Sequence, residues 1–180
     1  MSQNRKVLGE ERRELLLSTL KKSGKPITGA ELARRTNVSR QVIVADITLL
    51  KAREEPIIAT SQGYVYMEIQ RLNDYERTIA CYHTPDQAEK ELMIIVDHGA
   101  IIKDVTVEHP VYGDLTASIM VSSRQEVKSF LAKMKKTNAA LLSDLTDGIH
   151  LHTISSPRME HIEAAIKALK EAGILINENT

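Results

Sequence analysis

The sequence predicts an α+β protein in two domains, residues 1–68 and 69–180, and three observations predict it. The first stretch reads as three helices and a hairpin; after it, helical and strand periods interleave to the end of the chain; and the charge divides at the same place. Residues 1–67 hold twelve Lys and Arg against seven Asp and Glu, a balance of +5, whereas residues 68–180 hold twelve against seventeen, −5, within a chain of net charge zero. A length of 180 residues suits one small and one medium domain.

The elements of the first domain follow from period and caps. Residues 10–22 (EERRELLLSTLKK) place acids first and bases last, as the helix dipole favours, with Leu16, Leu17 and Leu20 on one side. Ser23-Gly24-Lys25-Pro26 ends that helix, because proline cannot continue it. Thr28-Gly29-Ala30-Glu31 is a capping box that opens a short second helix. Thr36-Asn37-Val38 makes a turn, and Ser39 caps a third helix running to about Ala52. Its apolar face is Val42, Ile43, Ile47 and Leu50, which leaves Arg40, Gln41, Val44 and Thr48 outside. Residues 57–60 and 64–67 then form a hairpin around Ser61-Gln62-Gly63.

In the second domain, strands are expected over residues 75–82, 101–108, 111–121 and 149–155, with a short last one over 173–176. Helices are expected over residues 85–98, 123–136 and 157–172, the first capped by Thr84 and closed by Gly99. Three helices interleaved with a mixed sheet make a two-layer α+β domain.

Composition narrows the class. With 42% hydrophobic and 27% charged residues the chain is neither disordered nor membrane-like, and no leader-like apolar run opens it, so the cytoplasm is the expected location. The single cysteine, Cys81, reads as a small buried side chain of a strand.

Helix, capped short helix, turn, capped helix and hairpin, in that order, are the parts of a winged helix-turn-helix. The third helix of such a unit enters the major groove with its N-terminal side chains on base edges. Arg40 and Gln41 are therefore the expected base contacts, with Val44 and Thr48 further along the same face and Gln62 on the wing. Thr36 and Ser39 are expected to hold phosphates; Arg34, Arg35, Lys51 and Arg53 are placed for the DNA backbone, supplying affinity without sequence information. The partner implied is a double-stranded DNA operator.

All six histidines follow residue 82. His150-Leu151-His152 on a strand sends both imidazoles to one face, where they can chelate one ion, although a lone pair of this kind often arises by chance. His83 closes a strand just before the helix that carries Glu91, whose side chain points back along the helix axis. The four together offer three nitrogens and a carboxylate, a set suited to one nickel or zinc ion per chain. Solvent-facing roles for His83 and Glu91 are the alternative. His98 suits a helix C-terminus; the Glu108-His109-Pro110-Val111-Tyr112-Gly113 segment is either a plain turn or the lining of a small-molecule pocket. His98, His109 and Tyr112 are the effector-binding candidates, and His161 is expected to be exposed.

The segments VSRQVIVADITLLKA and PIIATSQGYVY, followed by VDHGAIIKDVTVEHPVYG and LLSDLTDGIHLHTI, resemble the niacin-responsive transcriptional repressors, from about Leu8 to Ile176. In that family a winged helix precedes a 3H (three-histidine) domain with an HPr-like fold, a sheet covered by helices on one side. The resemblance implies repression of genes for NAD biosynthesis or niacin uptake, with nicotinic acid as co-repressor. It also implies metal ligation by His83, Glu91, His150 and His152. Leu141 stands where the family pattern leads one to expect proline. A homodimer is expected, since two recognition helices on a two-fold axis match a palindromic operator. Two other readings stay open: a regulator in which the ion is the signal, and a metalloenzyme, which lacks an evident base beside the ligands.

Overall fold

A computed structural model of the chain describes residues 9–67 and 74–176. The chain forms two compact units, Met1–Gln70 and Arg71–Thr180. The domain boundary expected at 68/69 lies outside the described residues. Among the described residues no helix is long and apolar enough to cross a membrane.

The first unit contains α1 (Gly9–Ser23), α2 (Gly29–Thr36), α3 (Arg40–Ala52) and a hairpin of β1 (Ile57–Thr60) and β2 (Gly63–Tyr66). Leu16 and Leu20 of α1, Leu32 of α2, Ile43, Ile47 and Leu50 of α3 and Ile57 form one core. Thr28 and Ser39 cap their helices as expected, accepting from the amides of Glu31 and Val42. Between α2 and α3 the chain reverses at Asn37, which adopts the left-handed conformation that asparagine tolerates. Ile27, just before α2, exchanges two backbone hydrogen bonds with Tyr64 at 2.9 and 2.8 Å, tying the wing to the helices. That approach requires Gly63: with φ at +132°, a β-carbon there would lie 2.5 Å from the Ile27 carbonyl.

This core also encloses an ion pair that the sequence pattern does not announce. Asp46, on the inner face of α3, is buried and receives the Arg12 guanidinium of α1 at 2.5 and 3.2 Å, with Arg13 adding a third contact at 3.2 Å. A buried charge persists only when paired and hydrogen-bonded, and this pair is both.

The second unit contains β3 (Tyr75–Tyr82), a 3₁₀ turn (Pro85–Gln87), α4 (Ala88–Asp97), β4 (Ile101–His109), β5 (Gly113–Val121), α5 (Arg124–Thr137), a second 3₁₀ turn (Leu142–Thr146), β6 (Ile149–Ser156) and α6 (Met159–Glu171). The sheet order is β3-β6-β4-β5, and every pairing is antiparallel. The expected mixed sheet is therefore corrected: β3 and β4 run parallel, as a strand-helix-strand crossover requires, but β6 inserts between them and is antiparallel to both. Helices α4, α5 and α6 pack with the sheet around Ile95, Ile102, Val127, Ile154, Ile162 and Leu169. Tyr82, Ile149 and Leu151 alternate to the opposite face and are exposed.

Three boundaries differ from expectation. β5 begins at Gly113, because Val111 and Tyr112 form the turn and are 78% and 75% exposed. The last segment reaches β3 only as a bridge from Leu175 to Cys81. The 3₁₀ turn over Leu142–Thr146 has no counterpart among the expected elements; there the Leu141 amide donates to Asp144 Oδ2 at 3.0 Å, a bond that a proline at 141 could not make.

Candidate metal centre and nucleic-acid interface

The cross-strand register of the second unit builds one site. Cys81 pairs with His150 and Ile79 with His152, so these four side chains share the face of the sheet turned to α4. His83 follows β3 by one residue and rejoins that face, while Glu91 descends from the first turn of α4. His83, Glu91, His150 and His152 are each no more than 4% exposed.

The Glu91 carboxylate is the hub. His83 Nε2 lies 2.7 Å from Oε2, His150 Nε2 3.2 Å from Oε1, and His152 Nε2 3.4 Å from Oε2. Neighbouring rings stand nearly perpendicular, with centroids 5.0 Å apart for His83 and His150 and 4.8 Å for His150 and His152. The opposite ring nitrogen of each histidine meets a backbone carbonyl: His83 Nδ1 donates to Thr84 O at 2.8 Å, His150 Nδ1 to Gly148 O at 2.9 Å, and His152 Nδ1 to Asp104 O at 2.6 Å. A carbonyl can only accept, so all three Nδ1 atoms carry hydrogen and all three Nε2 atoms face the carboxylate.

Two backbone irregularities make this possible. Gly148, at φ +95°, brings the start of β6 against the His83 peptide, and a β-carbon there would lie 2.3 Å from the His83 carbonyl oxygen. The β4–β6 register shifts between Ile102 and Asp104. At this bulge Asp104 Oδ1 accepts the Thr153 amide at 3.1 Å, and its carbonyl turns to His152 Nδ1.

The electrostatics follow from burial and contact. Burial alone would raise the Glu91 carboxyl, but hydrogen bonds from His150, His152 and His83 outweigh it and hold the group far below the usual carboxylate range. Burial pulls His83 and His152 down, yet the Glu91 hydrogen bond and charge, with the Thr84 and Asp104 carbonyls, raise both above the ordinary imidazole value. The apo centre is thus an ionised carboxylate sharing protons with imidazoles.

The donor types, imidazole and carboxylate, are ones that a borderline divalent ion takes. Ligand atoms about 2.1 Å from one ion stand about 3.0 to 3.4 Å from each other in octahedral or tetrahedral arrangement. Each of the three nitrogens approaches Glu91 at about such a separation, 2.7, 3.2 and 3.4 Å; the ligand atoms that all lie close to one another among the described residues are those of Cys81, Glu91 and His150. Sequence reasoning takes Cys81 only as a buried strand residue and misses its place beside this site. Its sulfur, a Glu91 oxygen and a His150 nitrogen all lie within 4.8 Å of one another. A signal exists, since Cys81 and His83 share the spacing that makes His150 and His152 conspicuous.

The effector candidates are not brought together. His98 caps α4 just before β4 begins, and its Nδ1 donates to Ile94 O at 2.8 Å. His109 ends β4, a nine-residue strand, and at the usual rise of about 3.3 Å per residue the two ends stand roughly 26 Å apart. His98 and the His109–Tyr112 pair therefore lie at opposite ends of β4. His109 and Tyr112 remain neighbours, with ring centroids 5.0 Å apart and the Tyr112 amide donating to His109 Nδ1 at 3.2 Å. His161 is only partly exposed; Ser156 Oγ lies 3.0 Å from its Nδ1.

In the first unit, Ser39, Arg40, Gln41, Val44, Thr48 and Lys51 all lie exposed on or beside α3. The Arg40 stem crosses Gly29, at the start of α2 beside the Tyr64 ring. The Thr48 hydroxyl donates to Val44 O at 2.8 Å, and the Gln62 side chain donates to Ser61 Oγ at 3.1 Å, within the wing turn. Thr36 is corrected: it is 1% exposed and its hydroxyl donates to Leu32 O at 2.8 Å, so it serves the core and cannot reach a phosphate. Arg34 and Arg35 pair with Glu31, and Arg53 with Glu10.

A helix-turn-helix unit joined to a domain with a buried three-histidine, one-carboxylate centre defines a two-domain class. Residues 12–65 match the HTH domain and residues 76–178 the 3H domain. The chain is 57% identical over 180 residues to "Transcription repressor NadR" of Bacillus subtilis, covering 99% of this chain and 100% of that protein. It is 40% identical over 173 residues to "Probable transcription repressor NiaR" of Thermotoga maritima, covering 96% and 98%. The chain belongs to the niacin-responsive transcription repressor family, with an HTH domain followed by a 3H domain.

Proposed function

We propose that this protein is a DNA-binding transcription repressor of genes for NAD biosynthesis or niacin uptake, in which one nickel or zinc ion per chain organises the 3H domain and nicotinic acid acts as co-repressor. The observation that carries the metal half is the set of three Nε2 atoms around Glu91, each fixed by a backbone carbonyl on its other nitrogen. His83, Glu91, His150 and His152 would hold the ion, which supplies a fixed positive charge and locks β3, β6 and α4 together.

On the DNA side, Arg40 and Gln41 would read base edges, Val44 would offer an apolar contact to a thymine methyl, and Thr48 and Gln62 would line the groove and wing. Ser39 and Lys51 would meet phosphates, and the basic balance of residues 1–67 supports a polyanion partner. A homodimer would present two recognition helices to a palindromic operator. The half-buried His109 and the exposed Tyr112 beside it offer rings for a pyridine and a nitrogen for its carboxylate; the burial of the ligand set favours an effector held beside the centre. Co-repression needs only that the effector bind the DNA-competent arrangement more tightly, and the coupling is reciprocal.

A gel-shift titration across pyridine carboxylates and amides, repeated after chelation, tests this reading. Nicotinic acid should tighten operator binding and chelation should abolish the effect. Tightening by metal alone would favour an ion-sensing regulator, and indifference to every pyridine would reject the co-repressor.

A further inference from the structure

We propose that Cys81 is a ligand of the ion in the 3H domain, giving the centre a sulfur donor beside its histidines and Glu91. The inference rests on the metal reading above and adds to it a residue and a preference among ions. Three observations carry it. Cys81 is the cross-strand partner of His150, and the alternation that sets His150 beside His152 on β6 sets Cys81 beside His83 at the end of β3. Its side chain is wholly buried. Its sulfur lies within 4.8 Å of both a Glu91 oxygen and a His150 nitrogen, the span of donors that share one ion.

Charge balance makes the sulfur more than a bystander. A divalent ion on three neutral imidazoles and one carboxylate leaves a net charge of +1, in a site where no ligand is more than 4% exposed. A buried uncompensated charge is strongly unfavourable, and a thiolate brings the sum to zero. On binding, the S–H bond breaks, a sulfur–metal bond forms, and the proton leaves to the buffer, as a coordinating thiol requires. Sulfur also biases the choice of ion toward zinc or cobalt and away from magnesium or manganese.

Cobalt(II) is the probe, because it reports its donors by colour. The full chain, stripped with chelator, is titrated with Co(II). The expected result is one ion per chain, visible ligand-field bands, and a near-ultraviolet sulfur-to-cobalt charge-transfer band that vanishes in Cys81→Ser while the ligand-field bands persist. X-ray absorption at the cobalt edge of the unaltered chain needs no variant, and should find a sulfur neighbour at about 2.3 Å. Stoichiometric binding with only nitrogen and oxygen neighbours would overturn the role of Cys81 and leave the histidine–carboxylate centre standing. No binding of Co(II), Ni(II) or Zn(II) would overturn both.

Discussion

The His83 carbonyl oxygen occupies the space into which a β-carbon at residue 148 would project, 2.3 Å away, and only glycine lets β6 start there. Gly148→Ala must push the two segments apart and adopt φ near +95° with a side chain, a backbone penalty of about 1–3 kcal/mol before the displaced histidines are considered. Metal affinity should fall and the 3H domain should melt earlier, both readable by calorimetry. An alanine variant that binds metal as the parent does would show that the close approach is not needed.

Asp104 acts on the centre through its neighbour. Its carboxylate holds the Thr153 amide and thereby the bulge that aims its carbonyl at His152. Asp104→Ala should weaken metal binding about 10–100-fold, the usual effect of losing an outer partner. Asp104→Asn, which keeps an acceptor, should restore most of it. Nitrogen-detected NMR of the apo protein should show the His152 tautomer released in the alanine variant alone.

The pH dependence of the apo 3H domain has two arms. His83 and His152 are raised in the folded state, so their contribution is complete below an unfolded value near 6.5 and is lost as pH rises through the folded value. Glu91 is lowered, so its contribution is present above about 4.5 and is lost as pH falls. Apo Tm should therefore decline as pH rises above 6.5, and a bound ion should abolish that decline by holding the Nε2 lone pairs. A rising apo Tm over that interval contradicts the protonated centre.

Arg12 and Asp46 join α1 to the inner face of α3. Asp46→Ala removes the carboxylate that two guanidinium groups share, one of them buried, and should destabilise the HTH unit by about 3–5 kcal/mol. Combining Arg12→Met with Asp46→Leu in one chain should recover much of the loss, since apolar residues of similar volume often substitute for a buried ion pair. Denaturant unfolding of both variants measures the difference.

On DNA, Arg40→Ala should weaken specific binding by about 1–3 kcal/mol and relax the operator preference. Lys51→Ala should weaken all sequences alike and reduce the salt slope by about one. Equal effects on specific and random DNA for Arg40→Ala would remove it from the base-reading face.

The sequence displayed some of this plainly. Caps at Thr28 and Ser39, the helical spacing of Ile43, Ile47 and Leu50, and the strand spacing of His150 and His152 are local patterns, and each places side chains on the expected side of its own element. Thr36 shows the limit: beside Ser39 it reads as another exposed hydroxyl, but it falls on the core side of α2. Cys81, whose one local signal is its spacing from His83, and Asp104, which has none, were hard to read as site residues for a related reason. The register of β6 against its two neighbours decides their role, and no pattern within β3 or β4 records it.

By itself, the chain determined its helices and strands, the split of charge between its two units, and the faces its histidines would take, because backbone period and capping act within a few residues. Tertiary structure alone decided that β6 enters between β3 and β4, that Glu91 comes down onto three imidazoles, and that Arg12 finds Asp46. Those meetings join residues far apart in the chain, and packing of whole elements, with burial of their apolar faces and pairing of every enclosed polar group, is what selects them.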